Sequence, residues 1–289
     1  MKLTDLIKIG KETISVLYPE REAGEMVFAY LEEAIGTKKH THIVEPEYEV
    51  IPEKAEAILK NFNRMAAGEP LQYVTGKAWF YGRQFHVTPD VLIPRPETEV
   101  LCNTVINRFH ADRGCKVLDM CTGSGCIAWT LALEMPGAEV AAVDISDGAL
   151  RVASTQDFAE EISRSGAQSP QFYKADVLEA PKELGQFDII VSNPPYVMDK
   201  EKALMRTNVL DHEPHLALFV ADDDPLIFYR AVAQWATKLL KKGGYGIVEI
   251  NEALGEQTAD VFRQAGFVNV SVIKDLTERD RFVEFTRIN

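Results

Sequence analysis

Residues 117–126 read Val117-Leu118-Asp119-Met120-Cys121-Thr122-Gly123-Ser124-Gly125-Cys126. A short run of strand texture enters a turn with two glycines, and a helix-forming stretch follows from near Cys126. Glycine lets the backbone approach a ligand closely, and the first turn of the following helix offers free N–H groups facing it. Strand, glycine turn and helix together predict the opening unit of a doubly wound α/β sheet, whose ligand crevice lies beyond the carboxyl ends of the strands.

Outward from this stretch the alternation continues. Strands are expected at 117–120, 139–143, 171–173, 188–191, 245–250, 268–273 and 282–285, and helical patterns separate the first five. That spacing implies parallel neighbours covered on both faces, with the last two runs close enough for an antiparallel edge pair. A helix is expected over 97–109. Between 68 and 96 the texture turns to glycine, proline and aromatic residues, with extended runs at 85–87 and 91–93, as in a linker or hairpin. Further upstream, Met26, Val27, Tyr30, Leu31, Ala34 and Ile35 form one helical stripe, and Ile51, Ala55, Ile58, Leu59 and Phe62 form a second, with Pro52 suited to a first helical turn. Such stripes fit a bundle that only packs as well as one that binds. The expected organisation is a helical domain at 1–75, a linker or hairpin at 76–96 and an α/β domain at 97–289.

The chain has 289 residues, more than the usual single domain, with 46% hydrophobic and 26% charged residues, which is globular composition. A net charge of −13 repels phosphate backbones, so a protein or small-molecule substrate is favoured over extended nucleic-acid contact. Cys102, Cys115, Cys121 and Cys126 lie at gaps of 13, 6 and 5 residues, which match no zinc or redox spacing; free thiols and no metal are expected. No signal-peptide core and no apolar run of membrane-spanning length is present, so a cytoplasmic monomer away from membranes is expected.

The chemistry gathers at strand ends. Asp144 closes the second strand 21 residues after Gly123, where a carboxylate can accept both ribose hydroxyls of an adenosine-containing cofactor. Gly123-x-Gly125-x-x-Ala128 also satisfies the loose dinucleotide pattern, which keeps a nicotinamide enzyme as a rival. Asp119 favours S-adenosylmethionine, whose sulfonium and amino groups are cationic. After the third strand, Asp176 is placed to reach an adenine amino group and Val177 to pack on the ring, a solvated loop aspartate being the alternative.

The fourth strand ends in Asn193-Pro194-Pro195-Tyr196. Prolines set the chain direction and remove donors, so the Asn193 side-chain oxygen and the Pro194 carbonyl can present two acceptors to one NH2 group. A planar amide or aromatic amine is a poor nucleophile because its lone pair is delocalised. Hydrogen bonds from both N–H groups raise the electron density on nitrogen, and Tyr196 can hold the planar group by its face. No separate strong base is expected.

These segments resemble class I S-adenosylmethionine-dependent methyltransferases that modify planar nitrogen. Asn-Pro-Pro-Tyr alone is similar both to amino-methylating DNA enzymes and to the HemK/PrmC-type methyltransferases acting on a glutamine of peptide chain release factors. Resemblance to the second group extends through 68–76, Phe80-Tyr81-Gly82, Ile93-Pro94-Arg95-Pro96-Glu97-Thr98-Glu99, 119–128, Glu213-Pro214 with Ala217-Leu218, and Asp275-Leu276 with Arg279-Asp280-Arg281, covering about 3–287. It implies a Rossmann-like, seven-stranded, mostly parallel catalytic domain and a small all-α domain that contacts class I release factors. Their Gly-Gly-Gln loop would enter beside Asn193, Pro194, Pro195 and Tyr196. The same resemblance assigns cofactor contacts to Cys121, Thr122, Gly123, Ser124, Gly125, Asp144, Asp176, Val177 and Asn193, and the acidic chain without a large basic segment is expected to make no direct nucleic-acid contact. Two roles fit the next pair: Arg95 and Glu97 can meet substrate and cofactor, or Glu97 can be a first-turn acid favoured by the helix dipole. The chain departs from the family pattern at Cys121, where glycine is common, at Glu278, where a small residue is expected, and at Val220-Ala221-Asp222, which lacks the usual glycine.

Overall fold

Val117, Ile189, Val191 and Ile247 pack into one buried cluster, while Leu118, Ile190 and Val248 pack into another. This two-residue alternation is that of strands buried on both faces. The computed structural model describes residues 1–109, 114–275 and 277–288. Among these lie β1 (Lys77–Phe80), β2 (Arg83–His86), β3 (Lys116–Met120), β4 (Glu139–Asp144), β5 (Gln171–Lys174), β6 (Phe187–Ser192), β7 (Val197–Met198), β8 (Phe219–Val220), β9 (Leu240–Glu249), β10 (Val268–Lys274) and β11 (Asp280–Thr286).

Seven of them form one sheet in the order β10-β11-β9-β6-β3-β4-β5. The inner strands are parallel, and β11 pairs antiparallel with both β9 and β10. The chain runs β3, β4, β5 to one side and then returns to place β6 and β9 on the other. The reversal beside β3 opens a crevice where neighbouring strands diverge from their connections. Met120 is level with Val143 and Ser192, so the glycine turn, Asp144 and Asn193 leave the sheet at one edge. Helix Cys126–Glu134 is buried at every position from Cys126 to Leu133, as a helix without a polar face must be.

Two compact units make up the chain, Met1–Lys77 with Met205–His212, and Ala78–Leu204 with Glu213–Asn289. In the first, helices Glu20–Ile35 and Pro52–Ala66 bury Val27, Tyr30, Leu31, Ile58 and Phe62 from the two expected stripes. A further helix, Leu3–Ile14, precedes them, and its Gly10 lies so close to Phe62 that an added Cβ would stand 2.7 Å from the ring. Met205–His212 joins this unit from far along the chain, with Arg206 Nη1 2.9 Å from Glu22 Oε1.

The hairpin forms earlier than expected, between β1 and β2, and 91–93 is a buried loop rather than a strand. Pro94 and Pro96 offer no backbone donors there, and the Ile93 N–H bonds the Glu213 side chain at 3.1 Å instead of a strand neighbour. Leu276 lies outside the described residues. Its neighbour Asp275 accepts from Thr277, Arg279 and Arg281 within 3.2 Å, closing the β10–β11 turn. No helix among the described residues is long and apolar enough to cross a membrane.

Candidate active site

The glycine turn is stitched to the neighbouring strand. Thr122 N donates to the Val143 carbonyl at 3.1 Å, and Gly125 N to the Thr122 carbonyl at 2.9 Å. Gly123 has φ 55° with open space on its Cβ side. A side chain there would adopt left-handed backbone and fill the open space beside the turn. Gly125, at φ 79°, serves packing: an added Cβ would meet the Ala153 Cβ at 3.0 Å. Cys121 has φ 61° and Glu278 φ 63°. Two of the three departures from the family pattern therefore fall on left-handed residues, where glycine or a small residue relieves strain.

Asp144 is held by the turn it faces. Its Oδ2 accepts from Gly123 N and its Oδ1 from Ser146 N, both at 2.9 Å. Burial pushes this carboxyl above its ordinary range, and the N–H groups of Ser146, Gly123 and Ile145 pull it back. Asp176 Oδ1 similarly accepts from Leu178 N at 2.8 Å.

A cavity of about 350 Å³ lies over this edge of the sheet. It brings together Cys121, Thr122, Gly123, Ser124, Asp144, Asp176, Val177, Asn193 and Pro195 from the expected set, four strand ends and their turns in one place. Asp90, Leu92, Leu216 and Phe228 also line it from outside the quoted motifs, and Thr98 and Pro214 line it from within them. Carboxylates at two strand ends with an apolar surface between them suit a ligand carrying a ribose and a planar base.

Asp119, Gly125, Pro194, Tyr196, Arg95 and Glu97 are not part of that lining. Asp119 stands behind the turn, fully buried, with Thr122 Oγ1 donating to its Oδ2 at 2.5 Å and no partner for its Oδ1 among the described residues. Burial raises its carboxyl to about 7, against the lowering bonds from Thr122 and the Ala128 backbone. Arg95 binds inward, its Nη2 2.5 Å from Oε1 of Glu213, whose side chain is 1% exposed. With the Ile93 N–H on the other oxygen, Glu213 anchors the loop that carries Val91 and Leu92 into the cavity wall. Glu97 is exposed in the first turn of helix Pro96–Phe109. Burial raises the Cys121 thiol well above its ordinary range and the Cys126 thiol to about 12, so both are neutral SH groups rather than nucleophiles.

Asn193 and Tyr196 share a buried polar network. Asn193 Nδ2 donates to Thr98 Oγ1 at 3.2 Å, Thr98 Oγ1 donates to Glu249 Oε2 at 2.7 Å, and Tyr196 OH donates to Glu249 Oε1 at 2.9 Å. The Tyr196 carbonyl accepts from Asn251 Nδ2 at 3.2 Å. Thr98 stands inside the quoted stretch 93–99 but was given no role there, and Glu249 lies in no quoted motif. One signal was available: Glu249 is a carboxylate inside the apolar run 245–250, and a buried carboxylate requires partners.

A family model described as the Methyltransferase small domain matches residues 97–216, and one described as the PrmC N-terminal domain matches 11–76. The chain is 44% identical to the release factor glutamine methyltransferase of Bacteroides thetaiotaomicron over 78% of each chain. It is 36% identical to that of Clostridium acetobutylicum over 98% of each. A solved protein-(glutamine-N5) methyltransferase, release factor-specific, from Alicyclobacillus acidocaldarius is 31% identical, with 71% of this chain and 100% of that one covered and a TM-score of 0.43.

Proposed function

The chain belongs to the release factor glutamine methyltransferases, and from that premise we propose how its site acts. It transfers a methyl group from S-adenosylmethionine to the side-chain amide nitrogen of the glutamine in the Gly-Gly-Gln motif of class I peptide chain release factors. One observation carries the mechanism: Asn193 lines the same cavity as Asp144 and Asp176, so an acceptor for a carboxamide stands beside the acceptors for an adenosine.

The residues present fit the cofactor. Gly123 leaves the turn open to close approach, Asp144 offers its remaining lone pairs to the ribose hydroxyls, and Asp176 and Val177 offer an acceptor and an apolar face to adenine. The orphaned Oδ1 of buried Asp119 provides a field that favours a cationic ligand nearby. When bound, S-adenosylmethionine supplies an electrophilic methyl group.

Asn193 Oδ1 and the Pro194 carbonyl hold both hydrogens of the substrate carboxamide. This raises the electron density on its nitrogen and fixes the direction of its lone pair, so orientation supplies much of the rate. Tyr196 and Pro195 flank the planar group and exclude water. The surplus proton on nitrogen leaves after transfer, and no strong base is assigned. Arg95 and Glu97 border the path of the substrate backbone, and the helical unit at the N-terminus recognises the release factor. The enzyme acts as a cytoplasmic monomer without direct nucleic-acid contact.

Incubation with methyl-labelled cofactor and a purified class I release factor, followed by mass mapping, places one label on the Gly-Gly-Gln glutamine. Label on nucleic acid, or none on that glutamine, overturns the reading.

A further inference from the structure

We propose that Thr98 and Glu249 are positioning residues that fix which face of the Asn193 carboxamide meets the substrate, a role that rests on the Asn193 clasp above. Hydrogen-bond direction sets the arrangement. An ionised carboxylate only accepts, so Glu249, 1% exposed, must receive the protons of both its hydroxyl neighbours, Thr98 at 2.7 Å and Tyr196 at 2.9 Å. Thr98, 2% exposed, has then spent its one proton and can only accept from Asn193. Asn193 answers with Nδ2 at 3.2 Å, which leaves Oδ1 as the atom offered to the cavity.

Without this chain the Asn193 amide could rotate and offer NH2, a donor set against the two N–H groups of the substrate. The catalytic contact would become a repulsion with no change in shape. The same carboxylate anchors the Tyr196 hydroxyl, so one buried charge orders both ends of the tetrapeptide. Burial pushes the Glu249 carboxyl up, while the Thr98 and Tyr196 bonds and the nearby Arg281 charge pull it down. The two donated hydroxyl bonds are those of the ionised form.

Thr98→Val keeps shape and removes the hydroxyl, whereas Thr98→Ser keeps the hydroxyl. The expected result for Thr98→Val is a kcat lower by roughly tenfold to a hundredfold, the scale of losing an outer hydrogen-bond partner. Cofactor affinity by calorimetry should stay near wild type, Tm should fall by only a few degrees for the lost donor to buried Glu249, and Thr98→Ser should recover most of the turnover. Glu249→Gln, which must donate to one hydroxyl, should also lower kcat, and the double variant should be no slower than the slower single, because both act through Asn193. Wild-type kcat in Thr98→Val, equal slowness in Thr98→Ser and Thr98→Val, or simple additivity overturns the relay. Asn193→Ala separates the two levels. If it is slow while Thr98→Val is not, only the relay fails; if it turns over normally, the clasp itself fails.

Discussion

Asp144→Asn tests whether the strand-end carboxylate exists for the cofactor or for the fold. In the folded chain its two oxygens accept from Gly123 and Ser146, yet burial still holds the carboxyl above its ordinary range. The charge is therefore a net burden on the free protein at neutral pH. A raised carboxyl contributes most below its unfolded value, and that contribution is lost as pH rises through the folded value. Asparagine removes the burden but keeps only one acceptor oxygen, so it loses one charge-assisted bond within the turn. The two changes oppose each other, and the ligand-free Tm should stay within about 3 °C of wild type, equivalent to roughly 1 kcal/mol for a domain of this size. Cofactor binding has no such compensation. A charged acceptor for the ribose hydroxyls becomes a partly donating amide, a loss of about 1.5–3 kcal/mol. That is a rise in Kd of roughly tenfold to 150-fold. Titration calorimetry with the cofactor, beside differential scanning of the free protein, reads both quantities. An unchanged Kd, or a Tm lower by ten degrees, refutes the assignment of Asp144 to the ribose.

Asn193→Ala should lower kcat by about a hundredfold or more while leaving cofactor affinity close to wild type, since the lost acceptor serves the nucleophile; parallel loss of both would point to a collapsed edge instead. Asp119, raised to about 7 from 3.8, gives the folded state a stability contribution that is full at about pH 4 and declines as pH climbs through 7. Tm measured from pH 5 to 8 should fall more steeply in wild type than in Asp119→Asn, and the affinity for a cationic cofactor should rise over the same window in wild type alone. Superimposable curves for the two proteins count against this. Gly125→Ala combines φ 79° with a Cβ 3.0 Å from Ala153, and should destabilise by about 1–3 kcal/mol in denaturant titration; a neutral result would mean the turn relaxes.

Much of the strand-end architecture around the cavity was legible because each part is local. The alternation of Val117 and Leu118, the positive-φ glycines of the turn and an acid at the end of the next strand are short-range signals. A topological rule then carries them to one sheet edge. Legibility failed where a residue's role is set by a distant partner. The Ile93 N–H turns to Glu213, 120 residues away, so the extended texture of 91–93 becomes a loop wall. Arg95, which on sequence can meet the substrate, also bonds that carboxylate.

From sequence alone came the alternating architecture and the places of the glycine turn and of Asn193 and Pro194 at strand ends, since periodicity and turn chemistry act over a few bonds. Only the tertiary structure decided which way the Asn193 amide faces. Thr98 meets Asn193 across 95 residues and Glu249 across 151, and Glu249 meets Tyr196 across 53. A hydrogen bond carries direction only once both partners are in place, and the folding of β9 against the sheet supplies the buried charge that sets it.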